Sequence, residues 1–163
     1  MILQEGTLQF DFSDATSAIK FDEEDRTKST FHGLSHCMKA VDFVVEYKDF
    51  YLFVEIKNPR DASRYATPSQ KNDLIKALVG KFRDSFLYRW CENALDKPIR
   101  YQCLVELDHA QTLHLMDALK RELPISKTPD RWQRELASMC SVTNRAAWNQ
   151  TFPDMTVTNI EGS

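Results

Sequence analysis

The feature that most constrains the fold is a pair of β-rich runs separated by only two residues. Residues 40–47 (AVDFVVEY) and 50–57 (FYLFVEIK) are rich in Val, Phe and Tyr, which favour strands. Lys48 and Asp49 lie between them, a spacing typical of a β-hairpin. Asn58-Pro59 ends the second run, because proline cannot donate a hydrogen bond to a β-ladder. The sequence therefore predicts an antiparallel hairpin near the middle of a sheet.

The register of this hairpin brings two carboxylates together. In a hairpin that turns symmetrically about Lys48 and Asp49, Asp42 lies directly opposite Glu55. Side chains alternate along a strand, so Lys57 lies on the same face as Glu55. We expect that face to be charged and the opposite face to be apolar, with Leu52, Val54 and Ile56.

Upstream of the hairpin, the sequence predicts a strand and a short helix. Residues 8–12 alternate between apolar and polar side chains, the period-two pattern of a half-buried strand. Ser13 is a suitable N-cap for a short helix that runs through Phe21. The charged stretch over residues 22–39 has no clear period, so we expect a loop there.

Downstream of the hairpin, two capping boxes mark the starts of helices. Thr67 and Gln70 form the first, and the long helix behind it has an apolar residue every four positions: Leu74, Leu78, Phe82, Phe86 and Trp90. Tyr101–Leu107 is the next strand, and Asp108 with Gln111 forms the second box. A strand, a helix and a further strand in this order predict a parallel crossover.

The last part of the chain predicts short elements only. Thr128-Pro129 is expected to open a short helix, and residues 139–143 and 155–160 are expected to be short strands. The expected fold class is thus α/β: a single domain of 163 residues with a central mixed β-sheet flanked by helices. Its core covers about residues 6–123, followed by a C-terminal helix and short strands over 124–163.

Composition and charge narrow the function classes. No apolar run approaches the ~20 residues needed to cross a bilayer, and the first residues do not resemble a signal peptide, so we expect a cytoplasmic protein with no membrane partner. The net charge is -3, but residues 56–100 hold ten basic and five acidic side chains. This basic segment begins where the hairpin ends.

The hairpin trio predicts metal-assisted chemistry. Two opposed carboxylates repel and weaken a sheet, unless a cation lies between them. Oxygen ligands from Asp42 and Glu55 suit Mg²⁺, or Mn²⁺ as its substitute. A lysine beside such an ion, here Lys57, stabilises charge that develops on a phosphate. The alternative to a metal site is an exposed hairpin whose solvent-facing side carries these residues by chance.

Asp42 followed by Glu55-Ile56-Lys57 resembles the D…ExK signature of the PD-(D/E)XK nucleases, a superfamily that includes restriction endonucleases and Holliday junction resolvases. The resemblance covers roughly residues 6–107 and implies a restriction-endonuclease-like domain. It implies that Asp42, Glu55 and Lys57 are catalytic, and that Asp42, Glu55 and the Ile56 carbonyl bind the metal. Val41 stands where the family often has proline.

The family frequently supplies one more carboxylate from an early helix. Asp22, Glu23 and Glu24 are the candidates, and Glu24 is taken as a further metal ligand.

Several basic residues follow the motif at positions suited to phosphate contact. Arg60, Arg64, Lys71 and Lys76 are the predicted nucleic-acid-binding residues. The predicted function is a divalent-metal-dependent nuclease, a phosphodiesterase or endonuclease, with DNA favoured over RNA as substrate.

Two alternatives stay open. The first is a non-catalytic module that keeps the nuclease fold to bind nucleic acid or protein. The second is a subunit whose site is completed by a protein partner or a second copy of the chain.

Overall fold

The computed structural model describes residues 1–57, 67–125 and 127–160, and it is an α/β fold with two sheets and three helices. The elements are β1 Ile2–Glu5, β2 Leu8–Phe12, β3 Ser17–Lys20, β4 Phe43–Glu46, β5 Tyr51–Lys57, α1 Pro68–Cys91, β6 Ile99–Val105, α2 His109–Glu122, β7 Met139–Thr143, α3 Arg145–Thr151 and β8 Met155–Asn159. Within the described ranges, every helix is too short or too polar to cross a membrane.

The larger sheet has five strands in the order β3-β4-β5-β6-β7 and is mixed. β3, β4 and β5 run antiparallel, whereas β5, β6 and β7 run parallel. The predicted hairpin is confirmed as β4 and β5, with Phe43 opposite Val54 and Glu46 opposite Tyr51. This is the register that a symmetric turn about Lys48 and Asp49 requires.

The crossover from β5 through α1 to β6 is also confirmed. At the start of α1, the Thr67 side chain accepts from the Gln70 amide, and the Gln70 side chain accepts from the Thr67 amide. Asp108 and Gln111 repeat this capping box at the start of α2. Both boxes satisfy backbone N–H groups that a helix leaves without partners, which explains why the two helices begin at these residues.

A separate core covers each face of the five-stranded sheet. On one face, α1 and α2 bury Leu78 and Phe82 against Phe53 and Tyr101, and the Tyr101 hydroxyl donates to the Leu78 carbonyl at 2.9 Å. The opposite face is covered by a three-stranded sheet, in the order β1-β2-β8, and by α3. Its core consists mainly of aromatic and branched side chains: Phe10, Phe12, Phe43, Val45, Leu52, Val54, Ile56 and Trp148.

Two predicted helices are wrong. The segment assigned to a helix after Ser13 contains β3, because pairing with the edge of β4 satisfies its backbone groups. The segment after Thr128 consists of turns and bends, and Trp132, a predicted apolar residue of that helix, is 43% exposed instead of packed on the core. The last helix is instead α3, where the Asn144 side chain caps the first turn.

The apolar stripe of α1 also ends earlier than predicted, since Trp90 is 63% exposed. A row of residues four apart drifts around a helix with 3.6 residues per turn, by about 40° at each step. After four such steps from Leu74, the side chain of Trp90 no longer faces the sheet. The two predicted C-terminal strands are confirmed, with one of them in each sheet.

Candidate functional site

The two predicted carboxylates lie together beneath α1. Asp42 immediately precedes β4, and its Oδ2 accepts from the Ile56 amide at 2.5 Å. The Asp42 carbonyl accepts from the Phe21 amide at 2.8 Å, which fixes the backbone on the other side. Glu55 is 0% exposed and Asp42 is 4% exposed. This burial excludes the alternative of a solvent-exposed hairpin with a wet face.

The burial also corrects the expected contrast between a charged and an apolar face of β5. Its residues from Tyr51 to Ile56 are all buried, because α1 covers the face that carries Glu55. The carboxylates therefore lie at the margin of a hydrophobic core and not on a solvated surface. Water screens their charges poorly there, so their interactions with neighbouring groups are strong.

Lys57 contacts Glu55 from the end of the same strand. Its Nζ donates to Glu55 Oε1 at 2.6 Å, and its side chain is 21% exposed. The alternation of side chains along β5 puts both groups on one face, as the spacing predicts. The ammonium thus links the buried Glu55 to the protein surface.

A second lysine, Lys81 of α1, lies between the carboxylates. Its Nζ is 3.1 Å from Asp42 Oδ1 and 3.1 Å from Glu55 Oε2. Lys81 is not among the site residues that the sequence predicts. A signal was present, because Lys81 follows Leu74 by seven positions and Leu78 by three, on the stripe of α1 that faces the sheet. A lysine on such a stripe needs a buried partner.

Asp22 supplies a third carboxylate from the residues that follow β3. Its Oδ2 is 3.9 Å from Lys81 Nζ, and its Oδ1 is buried without a hydrogen-bond partner among the described residues. Glu24, which we predicted as a further metal ligand, is exposed two residues later. The backbone bond between Phe21 and Asp42 explains the difference, since it brings Asp22 rather than Glu24 beside the site.

The pKa values reflect burial and mutual repulsion. Burial, and then the charge of Asp42, raise the pKa of Glu55 from 4.5 to about 7. The same two causes raise the pKa of Asp22 from 3.8 to about 8. Burial alone would lower the pKa of Lys81, but the carboxylates of Glu55 and Asp42 outweigh it and hold this pKa above its ordinary value. Lys81 is thus a firmly charged cation in an acidic setting.

The residues fit a hard cation in their chemistry. In the described ranges, no three His, Cys, Asp or Glu side chains are arranged as a ready metal site. Asp42 and Glu55 nevertheless offer the oxygen donors that Mg²⁺ prefers. Among the described residues, Glu55 Oε2 is buried with the Lys81 ammonium 3.1 Å away, and Asp22 Oδ1 is buried with no hydrogen-bond partner. Such oxygens are costly to bury unless a cation or donor reaches them. The positive charge between them is the ammonium of Lys81.

The other predicted residues are placed differently. Arg60 and Arg64 lie outside the described residues. Lys71 lines a cleft of about 400 Å³ between the first turns of α1 and α2, with His114 and Gln111 on the opposite wall. Lys76 lines a different groove between these helices, with Arg83 and Arg121. Lys76 therefore faces α2, whereas Lys81 faces the carboxylates.

The predicted role of the Ile56 carbonyl as a metal ligand stays a prediction. What the structure shows for this residue is an amide that binds Asp42 and a side chain that is buried on the opposite face of the sheet.

Comparison of the chain with protein-family models, with curated proteins and with solved structures finds no match.

Proposed function

We propose that this chain is a divalent-metal-dependent nuclease of the PD-(D/E)XK type with a restriction-endonuclease-like fold. The observation that carries the proposal is the buried pair Asp42 and Glu55, with Lys57 bonded to Glu55 at 2.6 Å. A buried acidic pair in the centre of a sheet is costly for stability, which favours a functional reason for keeping it.

Each residue of the trio has a role in this proposal. Asp42 and Glu55 would hold Mg²⁺, and the Ile56 amide fixes the orientation of Asp42 for that purpose. When bound, the ion would supply charge next to phosphate oxygens and make a water molecule more acidic. Lys57, oriented by Glu55, would neutralise negative charge that develops on the scissile phosphate. Hydrolysis of a phosphodiester bond is the reaction that uses all three.

Nucleic acid is the proposed substrate, and DNA is favoured over RNA. Support comes from the basic segment that begins at Lys57, of which Lys71 lines the cleft at the start of α1. Backbone N–H groups at the first turn of a helix favour phosphate in such a place. The cytoplasm is the proposed compartment.

The test is a cleavage assay on double-stranded DNA, single-stranded DNA and RNA, with Mg²⁺, Mn²⁺ or EDTA. We expect metal-dependent cleavage by the wild type and a loss of about 100-fold or more in Lys57→Ala. Lys48→Ala is a matched control, because this exposed lysine lies in the turn at the other end of β5. An absence of cleavage of every substrate, or full activity in Lys57→Ala, would contradict the proposal.

A second candidate is a non-catalytic module that binds nucleic acid or protein. The observation that favours it is Lys81, whose ammonium already neutralises Asp42 and Glu55 without a metal. Thermal unfolding with Mn²⁺ separates the two candidates, because a ligand of the folded state raises the melting temperature. A shift in the wild type that disappears in Asp42→Asn Glu55→Gln supports the nuclease, and no shift in either supports the module.

A further inference from the structure

Lys81 occupies the place that a metal ion would need. Its Nζ lies 3.1 Å from one oxygen of Asp42 and 3.1 Å from one oxygen of Glu55, the two carboxylates assigned to the metal. A divalent cation held by the same two oxygens would lie within a few ångströms of the ammonium. Like charges this close in a buried setting repel strongly, so both cations cannot keep these positions.

Asp22 offers the ammonium another partner. Its Oδ2 is 3.9 Å from Lys81 Nζ, beyond a hydrogen bond but within reach of a small rotation of the long lysine side chain. Its Oδ1 is buried and has no hydrogen-bond partner among the described residues. Glu55 and Asp42 would lose the ammonium and gain the metal, while Asp22 would gain the ammonium.

We propose that Lys81 is a built-in counter-ion of the metal site: it pairs with Asp42 and Glu55 in the metal-free protein and moves to Asp22 when a divalent cation binds. This inference rests on the proposed metal site and adds a regulatory step to it. The exchange keeps Asp42 and Glu55 beside a cation in both states, so neither carboxylate is left buried without a counter-charge when the ion leaves. It also raises the metal concentration needed for binding, because the ion must first displace a cation.

Asp22 thereby acts through Lys81 and is a positioning residue, not a ligand. This distinguishes the proposal from the simpler idea that Asp22 is the early carboxylate of the metal site. If Asp22 were a third metal ligand, it would contribute to metal binding whether or not Lys81 is present. If Asp22 is instead the partner of the displaced ammonium, it contributes only when Lys81 is present.

The direct test is a titration of the wild-type protein with Mg²⁺, followed by the NMR signals of the lysine side-chain Nζ atoms. We expect the Lys81 signal to shift in step with metal binding and that of Lys76, an exposed residue of the same helix, to stay in place. Binding that leaves the Lys81 signal unmoved would overturn the displacement and leave the metal-dependent function standing. This measurement uses the wild-type protein, so it does not depend on whether a variant folds.

The second test compares the Mg²⁺ affinity of variants at pH 9, above the raised pKa values of Glu55 and Asp22, about 7 and about 8. Lys81→Met should bind Mg²⁺ at least about tenfold more tightly than the wild type. Lys57→Met is the matched control, since it removes an equal charge that, among the described residues, pairs with the other oxygen of Glu55. An equal gain in both variants would reduce the effect to general electrostatics and overturn the proposal.

A double-mutant cycle then separates the two roles of Asp22. Asp22→Asn should weaken Mg²⁺ binding in the wild type by several-fold and have no effect in the Lys81→Met background. The same loss in both backgrounds would make Asp22 a ligand and overturn its assigned role.

If the wild type and Lys81→Met both fail to bind Mg²⁺, the proposed metal site and the proposed displacement are both contradicted. Binding by Lys81→Met alone would support the displacement.

Discussion

The two faces of the five-stranded sheet are built from the same strands but differ in the side chains that they bury. On the face toward β2 and β8, aromatic rings fill the core, and the Trp148 ring meets Phe10 at 5.7 Å between centroids. On the face toward α1, a similar core is interrupted at one side by Asp42, Glu55 and Lys81. The first face contributes stability through apolar burial, and the second gives up part of that stability for a charged site.

The largest expected effect tests the aromatic face. Trp148 is fully buried, contacts Phe10 and Phe152, and donates its indole N–H to the Met155 carbonyl. Trp148→Ala should lower the free energy of unfolding by about 3–5 kcal/mol, measured by chemical denaturation. Trp90→Ala, on the exposed part of α1, is the control and should change it by about 0.5 kcal/mol or less. Equal losses of unfolding free energy in the two variants would contradict the assignment of a stabilising role to the aromatic face.

The next effect tests the charged site as a structural unit. Lys81→Met removes the ammonium between Asp42 and Glu55, and unpaired buried charges are costly. Because the lysine side chain is 21% exposed, we expect a loss of about 2–3 kcal/mol at pH 8.5 in the same assay, below the full cost of a buried pair. Lys76→Met, also in α1 but exposed, should be nearly neutral. A loss no larger than that of this control would show that Lys81 is not the counter-ion.

How much of this difference the sequence predicts depends on the range of the interactions. The two-residue turn fixes the pairing of β4 with β5, and hence the meeting of Asp42 with Glu55, through neighbours in the chain. The capping boxes of α1 and α2 are local in the same sense.

The remaining features arise from contacts between residues that are distant in the chain. β2 pairs with β8, so that Phe10 faces Val157, and no local pattern indicates this. Lys81 is 39 residues from Asp42, and its partners follow only from the way α1 crosses the sheet. Asp22, Glu23 and Glu24 are adjacent acidic residues, and the bond from the Phe21 amide to the Asp42 carbonyl is what brings Asp22 beside Lys81.

A smaller effect concerns pH, and its sign follows from the raised pKa values of Glu55 and Asp22. The charged groups that act on them are Asp42, Lys57, Lys81 and, for Asp22, also Glu5. Between their ordinary values of 4.5 and 3.8 and their folded values of about 7 and about 8, the folded state holds protons that the unfolded state has released. Stability should therefore fall as pH rises through this window, and the cost is complete above the folded pKa values. Lys81 does not oppose this trend, since the stability it adds is lost only above its ordinary pKa of 10.5.

The check is denaturation at a series of pH values from 5 to 9. We expect the wild type to lose at least about 2 kcal/mol over this range, a part of what the two shifts would give if Glu55 and Asp22 titrated independently. Glu55→Gln, which cannot ionise, should lose clearly less, whereas Glu122→Gln on the exposed end of α2 should follow the wild type. A wild-type profile that rises with pH, or parallel profiles for all three proteins, would contradict the assignment of raised pKa values to the site.

The smallest effect asks which part of the helix face meets the substrate. Lys71 lines the cleft at the first turn of α1 with Leu107, which follows the carboxyl end of β6, the strand parallel to β5. Lys76 instead faces α2 beside Arg83. If nucleic acid approaches along the edge where Lys57 emerges, Lys71→Ala should weaken DNA binding about two- to fivefold and reduce the salt dependence by about one phosphate contact. Lys76→Ala should weaken DNA binding less than Lys71→Ala does, and Lys48→Ala should leave DNA binding unchanged. Fluorescence anisotropy with labelled DNA at several salt concentrations measures all three. A larger loss for Lys76→Ala would place the nucleic acid over the groove between α1 and α2, away from the carboxylates, and would favour the binding module over the nuclease.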